Sequence, residues 1–178
     1  MQQEPDLKKS RWLILIYRLP REPSRPRVAV WRKLKDLGAL YLQDGVAALP
    51  EDAVTREQLE WLQLRIQEGD GNATLWEGQP NTLAENKELV EAFRTSRSAA
   101  YQDLIAKAER IQRKAVLGSS EGFFDELSKL ERGFRAERRR DYFRSPLRKE
   151  ASNALKAARR VVREGKSQAA RLDRESGS

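Results

Sequence analysis

The sequence predicts an α+β protein, with a four-stranded antiparallel sheet and two helices in its first half and about three basic helices in its second. Three observations carry this. Residues 12–17, Trp-Leu-Ile-Leu-Ile-Tyr, form an apolar run rich in β-branched and aromatic residues that stops at Leu19-Pro20, the signature of a strand buried on both faces. Gln43-Asp44-Gly45 sits between two short apolar runs, a hairpin signal. From Leu89 onward the apolar residues instead recur at the 3.6-residue helical period.

The first strand is expected over 12–18. Residues 21–27 hold Pro23 and Pro26, following Pro20, and read as a stiff connection. Val28, Trp31, Leu34 and Leu37 then recur every third residue, which predicts a helix packing Trp31 on the sheet and ending at Gly38. Strands two and three are placed at 40–43 and 46–49, closed by Pro50. Thr55-Arg56-Glu57-Gln58 has the form of a capping box. It opens a second helix with Leu59, Leu62 and Ile66 on one face and Gly69 at its end. Ala73–Trp76 reads as a fourth strand. The order βαββαβ is the ferredoxin-like arrangement, with both helices on one face of the sheet. The other face then needs a cover, either a second copy or the chain's own second half.

The second half begins with another capping box, Thr82-Leu83-Ala84-Glu85, and a long stripe through Leu89, Phe93, Ala100, Leu104, Ala108, Ile111 and Ala115. A kink is expected near residues 95–98, and Gly118-Ser119-Ser120 is expected to break the helix. The next helix carries Phe123, Leu127, Leu130 and Phe134 on one face. Ser145-Pro146 pairs an N-cap with a proline at the first helical position, and the last helix holds Leu147, Ala151, Ala154, Leu155, Ala158 and Val162 before Gly165. The expected divisions are a ferredoxin-like module over 1–78, a basic helical region over 79–165 and a disordered tail over 166–178.

Composition narrows the chemistry. The 178 residues include no cysteine and no histidine. A disulfide, a zinc site or a Ser-His-Asp triad is therefore impossible within this chain. Residues 12–17 are too few to span a membrane, and no apolar leader precedes them, so a cytoplasmic protein is expected. The formal charge is +8, unevenly distributed: residues 1–93 carry 13 Lys+Arg against 15 Asp+Glu, and residues 94–178 carry 22 against 12. A near-neutral half followed by a strongly basic half points to a polyanionic partner.

Two basic groups are candidate sites. Arg135, Arg138, Arg139, Arg140, Arg144, Arg148, Lys149, Lys156, Arg159, Arg160 and Arg163 fall within thirty residues. They are expected to converge on phosphates across the Ser145-Pro146 turn. Pairs such as Glu137 with Arg140 are too few to neutralise them. Tyr142 and Phe143, interleaved here, are expected to pack at the turn rather than stack on bases, and nothing in the sequence supports base reading. The second group, Arg18, Arg21, Arg25 and Arg27, leads into a helix N-terminus, a setting suited to a tetrahedral oxyanion such as chromate, sulfate or phosphate. Among the carboxylates, Asp36, Asp44, Glu51 and Asp52 lie near loops without metal-ligand spacing. No metal, cofactor or catalytic residue is expected.

These residues also carry a family resemblance. Trp12-Leu13-Ile14-Leu15-Ile16-Tyr17-Arg18-Leu19-Pro20, Val28-Ala29-Val30-Trp31-Arg32-Lys33-Leu34-Lys35, Tyr41-Leu42-Gln43-Asp44-Gly45-Val46, Thr55-Arg56-Glu57-Gln58-Leu59-Glu60-Trp61-Leu62, Ala73-Thr74-Leu75-Trp76, Tyr101-Gln102-Asp103-Leu104-Ile105 and Asp141-Tyr142-Phe143-Arg144-Ser145-Pro146-Leu147-Arg148 appear in the order found in the N-terminal domain of the chromate-resistance regulator ChrB. The chain resembles that family over about residues 12 to 165. The resemblance implies a bacterial, chromate-responsive transcriptional regulator of a chromate efflux system. The domain is also similar to the ferredoxin-like module of the phenylacetate repressor PaaX and of a CRISPR adaptation nuclease. In those relatives an acid often ends the first strand, where this chain has Arg18, and that departure argues against metal-dependent nuclease activity. Full-length family members carry a further C-terminal domain, so a short form is expected here.

The expected function is DNA binding in the control of chromate resistance, by a homodimer with no enzymatic activity. The alternatives are an oxyanion-responsive or protein-interaction module that uses the Arg18, Arg21, Arg25 and Arg27 group, or a nuclease-like or RNA-binding protein.

Overall fold

Seven residues of the first strand carry the centre of a four-stranded sheet. In the computed structural model, which describes residues 11–116 and 122–176, the elements are β1 (Trp12–Arg18), α1 (Ser24–Leu37), β2 (Leu40–Gln43), β3 (Val46–Pro50), α2 (Ala53–Glu68), β4 (Asn72–Gly78), α3 (Leu83–Val116), α4 (Phe123–Arg140) and α5 (Arg148–Ser176). The strand order is β2-β3-β1-β4, and every pairing is antiparallel. This is the expected ferredoxin-like βαββαβ module followed by three helices. The chain divides into two compact units, Met1–Phe93 and Arg94–Ser178, and the first turns of α3 belong to the first.

In the first unit, strand alternation separates two faces of the sheet. Leu13 and Leu15 lie opposite Leu49 and Ala47. All four are buried, on the face that meets Leu34 of α1 and Leu59, Leu62 and Ile66 of α2, which are buried as well. Burying each such leucine or isoleucine stabilises the fold by about 1.5–3 kcal/mol before the entropic cost of ordering it. Trp12, Ile14 and Ile16 point the other way. Trp12 is covered by the start of α3: its ring stacks on Phe93 at 5.3 Å between centroids, and its indole donates to Asn86 Oδ1 at 2.8 Å. That cover ends quickly. Ile16 is 43% exposed and Trp76, opposite Ile14, is 58% exposed. The first strand is therefore buried on both faces only at its Trp12 end.

Local chemistry sets the element ends. Gly38 closes α1 in the left-handed region at φ 74°. Gly45 turns the β2–β3 hairpin at φ 71°, and a Cβ there would collide with the Tyr17 carbonyl oxygen; only glycine meets both demands. Three expectations shift. The cap of α2 is Asp52, whose carboxylate accepts from the Val54 and Thr55 amides, while Thr55 is the third helical residue and its hydroxyl oxygen accepts from the Asp52 amide. The capping box is real but sits three residues earlier. α1 begins at Ser24, so Arg25 and Arg27 are helical rather than part of a stiff connection. Trp31 does not pack on the sheet: it is 49% exposed, with the Lys35 ammonium 4.9 Å from its ring centre. A spacing of three slips backward by about 60° per step on a helix of 3.6 residues per turn, so Val28, Trp31 and Leu34 cannot share one narrow stripe. Val30 and Leu34, four apart, form the buried one.

In the second unit, α3, α4 and α5 bury one shared core that includes Tyr101, Leu104, Ala108 and Ile111 of α3, Leu127 and Leu130 of α4, and Ala151, Leu155, Ala158 and Val162 of α5. The expected box at Thr82 forms as read, with the Thr82 amide and hydroxyl donating to Glu85 Oε2 and the Glu85 amide donating back to Thr82 Oγ1. α3 is helical without a break across residues 95–98. The break expected at Gly118-Ser119-Ser120 lies outside the described residues. Residues 145–147 form a turn, and α5 starts at Arg148 and runs past Gly165 to Ser176. Among the described residues, no helix is long and apolar enough to cross a membrane.

Candidate nucleic-acid interface

The second unit sorts its charges by helix face. α4 places Asp125 and Glu126 in its first turn and Arg138, Arg139 and Arg140 in its last, the arrangement that complements the helix dipole. Phe123, Leu127 and Leu130 take the buried stripe, which leaves Arg132, Arg135, Arg138 and Arg139 exposed. Positions 132, 135 and 139 are three and four residues apart and so share one ridge. On α5, Ala151, Leu155, Ala158 and Val162 face the core, leaving Lys149, Lys156, Arg160 and Arg163 exposed.

The predicted cations divide into two sets. In the first, carboxylates engage the side chain. Arg140 pairs with Glu137 at 3.1 Å, Arg159 with Glu131 at 2.5 Å, Arg160 with Glu164 at 4.0 Å and Arg148 with Asp141 at 3.8 Å. Glu137 is also held at 3.0 Å by Arg97, an arginine of α3. In the second set, Arg135, Arg138, Arg139, Lys149, Lys156 and Arg163 make no ion pair with any described residue. Arg144 is exposed and adopts a left-handed backbone at φ 55°.

The loop between α4 and α5 is organised by Asp141, whose side chain is 1% exposed. Its Oδ1 accepts the Ser145 amide at 2.7 Å and its Oδ2 accepts the Tyr101 hydroxyl at 3.0 Å. Burial pushes the Tyr101 hydroxyl well above the ordinary phenol range, and the adjacent Asp141 charge adds to the shift. Ser145 also shares a 2.9 Å hydrogen bond with Ser98, and Arg94 Nε donates to the Phe143 carbonyl at 3.0 Å. Phe143 is buried, as expected of packing at the turn, and Tyr142 is half-buried. This network fixes where the basic end of α4 meets the start of α5.

The second predicted group is less organised. Arg18 ends β1, Arg21 lies in the following loop, and Arg25 and Arg27 lie in the first turn of α1. All four are exposed, and no acid occupies that first turn. Among the described residues, no hydrogen bond or ion pair draws their side chains to a shared point. Nor do the described residues include a group of three or more acidic, histidine or cysteine side chains that could hold a metal.

Sequence reasoning missed Arg132, which its spacing from Arg135 and Arg139 would have revealed, and Ser152, which lies beside Lys156 in the α4–α5 groove. It also missed the Tyr101–Asp141 bond, because the two residues are 40 positions apart.

Comparison with known proteins adds a family. A model described as "Protein ChrB, N-terminal" matches residues 27–171. Protein ChrB of Cupriavidus metallidurans (strain ATCC 43123 / DSM 2839 / NBRC 102507 / CH34) is 28% identical over 140 residues, covering 78% of this chain and 42% of that relative. The chain thus spans less than half of that relative's length. No solved structure matches.

Proposed function

The chain belongs to the ChrB N-terminal family, and we propose that it is a DNA-binding transcriptional regulator of chromate resistance that grips phosphates with the exposed cations of α4 and α5. One observation supports this above the others. Arg135, Arg138, Arg139, Lys149, Lys156 and Arg163 stand on two adjoining helices with no carboxylate among the described residues to neutralise them. Unpaired guanidinium and ammonium groups on one basic surface are what a polyanion with regularly spaced phosphates requires. The contacts are to the backbone, and the regulator acts in the cytoplasm as a binding protein rather than an enzyme.

The proposed homodimer rests on the first unit. Ile16, Leu42 and Trp76 are large apolar side chains left 43–58% exposed, and a second copy of the chain would bury them. Sedimentation of the full chain against a Trp76→Glu variant tests this: a dimer that becomes monomeric supports it, and a parent that is already monomeric at micromolar concentration refutes it.

A second reading is favoured by the unpaired Arg18, Arg21, Arg25 and Arg27 at the acid-free start of α1: the chain would respond to chromate or a similar oxyanion there. One experiment separates the readings. The full chain is titrated against a labelled promoter fragment of a chromate-resistance operon and against a scrambled fragment, with and without chromate. Promoter-selective binding released by chromate supports both readings. Promoter binding indifferent to chromate supports the regulator alone, and no binding to either fragment removes the regulator reading.

A further inference from the structure

We propose that the groove between α4 and α5 is a phosphate clamp in which Arg135, Ser152 and Lys156 together hold one phosphodiester group of nucleic acid. The inference rests on the DNA-binding reading above and assigns it a specific contact. The groove encloses about 170 Å³ and is lined by Glu131, Phe134 and Arg135 of α4 and by Ser152, Leu155, Lys156 and Arg159 of α5. Residues 131, 134 and 135 are spaced to lie on one ridge of α4, as are 152, 155, 156 and 159 on α5. Leu155 is buried in the core and Phe134 packs against it, so the groove has an apolar floor and polar walls.

The two ends of the groove differ chemically. At one end Arg159 donates through Nε and Nη2 to Glu131 Oε1, at 2.8 and 2.5 Å. That pair consumes the one acid among the lining residues. At the other end Arg135, Ser152 and Lys156 have no hydrogen-bond or ion-pair partner among the described residues. They offer a planar guanidinium fork, a hydroxyl and a compact ammonium. This combination suits the several tetrahedral oxygens of a phosphate, where a carboxylate would use the fork alone. The groove has room for a phosphate group and a few waters. A phosphate held there positions the backbone and reads no sequence.

The test is a salt series of DNA affinity on the full chain, for the parent and for Arg135→Ala, Lys156→Ala, their double variant, and an Arg135→Ala/Arg163→Ala double as a reference for separate phosphates. Far-UV circular dichroism confirms folding of each. Each phosphate contact contributes about 0.9 to the slope of log affinity against log salt. If Arg135 and Lys156 share a phosphate, either single change leaves that phosphate with one cation and lowers the slope by less than one, their double lowers it by about one, and the Arg135→Ala/Arg163→Ala double lowers it by about one more than Arg135→Ala alone. A drop of about two for Arg135→Ala/Lys156→Ala, or none at all, overturns the clamp and leaves the regulator reading standing. If the parent shows no salt-dependent DNA binding, the regulator reading falls and the clamp is decided without DNA. Acetylation of Lys156, followed by mass spectrometry, is then slowed by millimolar inorganic phosphate in the parent and unaffected by it in Arg135→Ala. Equal acetylation with and without phosphate in the parent overturns the clamp as well.

Discussion

The Trp12 indole donates a 2.8 Å hydrogen bond to Asn86 Oδ1 inside the first unit, so β1 and the first turns of α3 are joined by one buried polar contact. Asn86 is 5% exposed and Trp12 is 1% exposed. Replacing Asn86 with Ala removes this buried acceptor from the indole N–H, which costs about 1–3 kcal/mol. All four tryptophans, Trp12, Trp31, Trp61 and Trp76, lie in the first unit. Urea unfolding followed by tryptophan fluorescence therefore reports this unit, and its midpoint is expected to fall. An unchanged midpoint would show that the bond is satisfied by water instead.

Asp141 is the corresponding anchor of the second unit. It accepts from the Ser145 amide and the Tyr101 hydroxyl at once. Asp141→Ala strands both donors in a buried setting and is expected to cost about 3 kcal/mol. The readout is the helical circular-dichroism transition, since no tryptophan lies in this unit. The tryptophan transition is not expected to move with it.

Trp31 offers the reverse case. Half exposed, with the Lys35 ammonium over its ring, it is expected to tolerate replacement by Ala within about 0.5–1 kcal/mol. Leu34→Ala, at a fully buried site one helical turn away, is expected to cost about 2–5 kcal/mol. Comparable losses for the two variants would mean that Trp31 is buried in solution.

Glu77 predicts a small pH dependence. The Arg56 hydrogen bond, foremost, and the charges of Arg11 and Arg56 hold its carboxyl below the usual carboxylate range. A depressed folded-state value means that its stabilisation is present above the ordinary carboxylate value and is lost as the pH falls through the folded one. Solvent screening keeps the effect modest. Thermal midpoints measured from neutral pH down through about pH 4 should fall slightly more steeply for the parent than for Glu77→Gln. Parallel curves would remove Glu77 from the account.

Much of this was legible in the sequence because it is local. Gly38, Gly69, the Asp44-Gly45 turn and the Thr82–Glu85 box are decided within a few residues, and each stands where its chemistry places it. What escaped the sequence depends on partners far along the chain. The spacing of Val28, Trp31 and Leu34 could not say which helix face the sheet would select. Asp141 looked like one more charge until Tyr101 met it. The basic residues were visible as a crowd, but their division was not: Arg140 and Arg159 differ from Arg139 and Lys156 only through Glu137 and Glu131, which sit beside the first two.

That division is also the sharpest test of the central claim. DNA affinity should be measured over a salt series for the parent, for Arg138→Ala/Arg139→Ala and for Arg140→Ala. With up to six unpaired cations available, the parent slope is expected to lie between about −3 and −5. Losing Arg138 and Arg139 should flatten it by about two, while losing Arg140, already held by Glu137, should leave it nearly unchanged. A parent slope near zero, or an Arg140→Ala loss equal to that of the Arg138/Arg139 pair, would contradict phosphate binding by the unpaired face of α4 and α5.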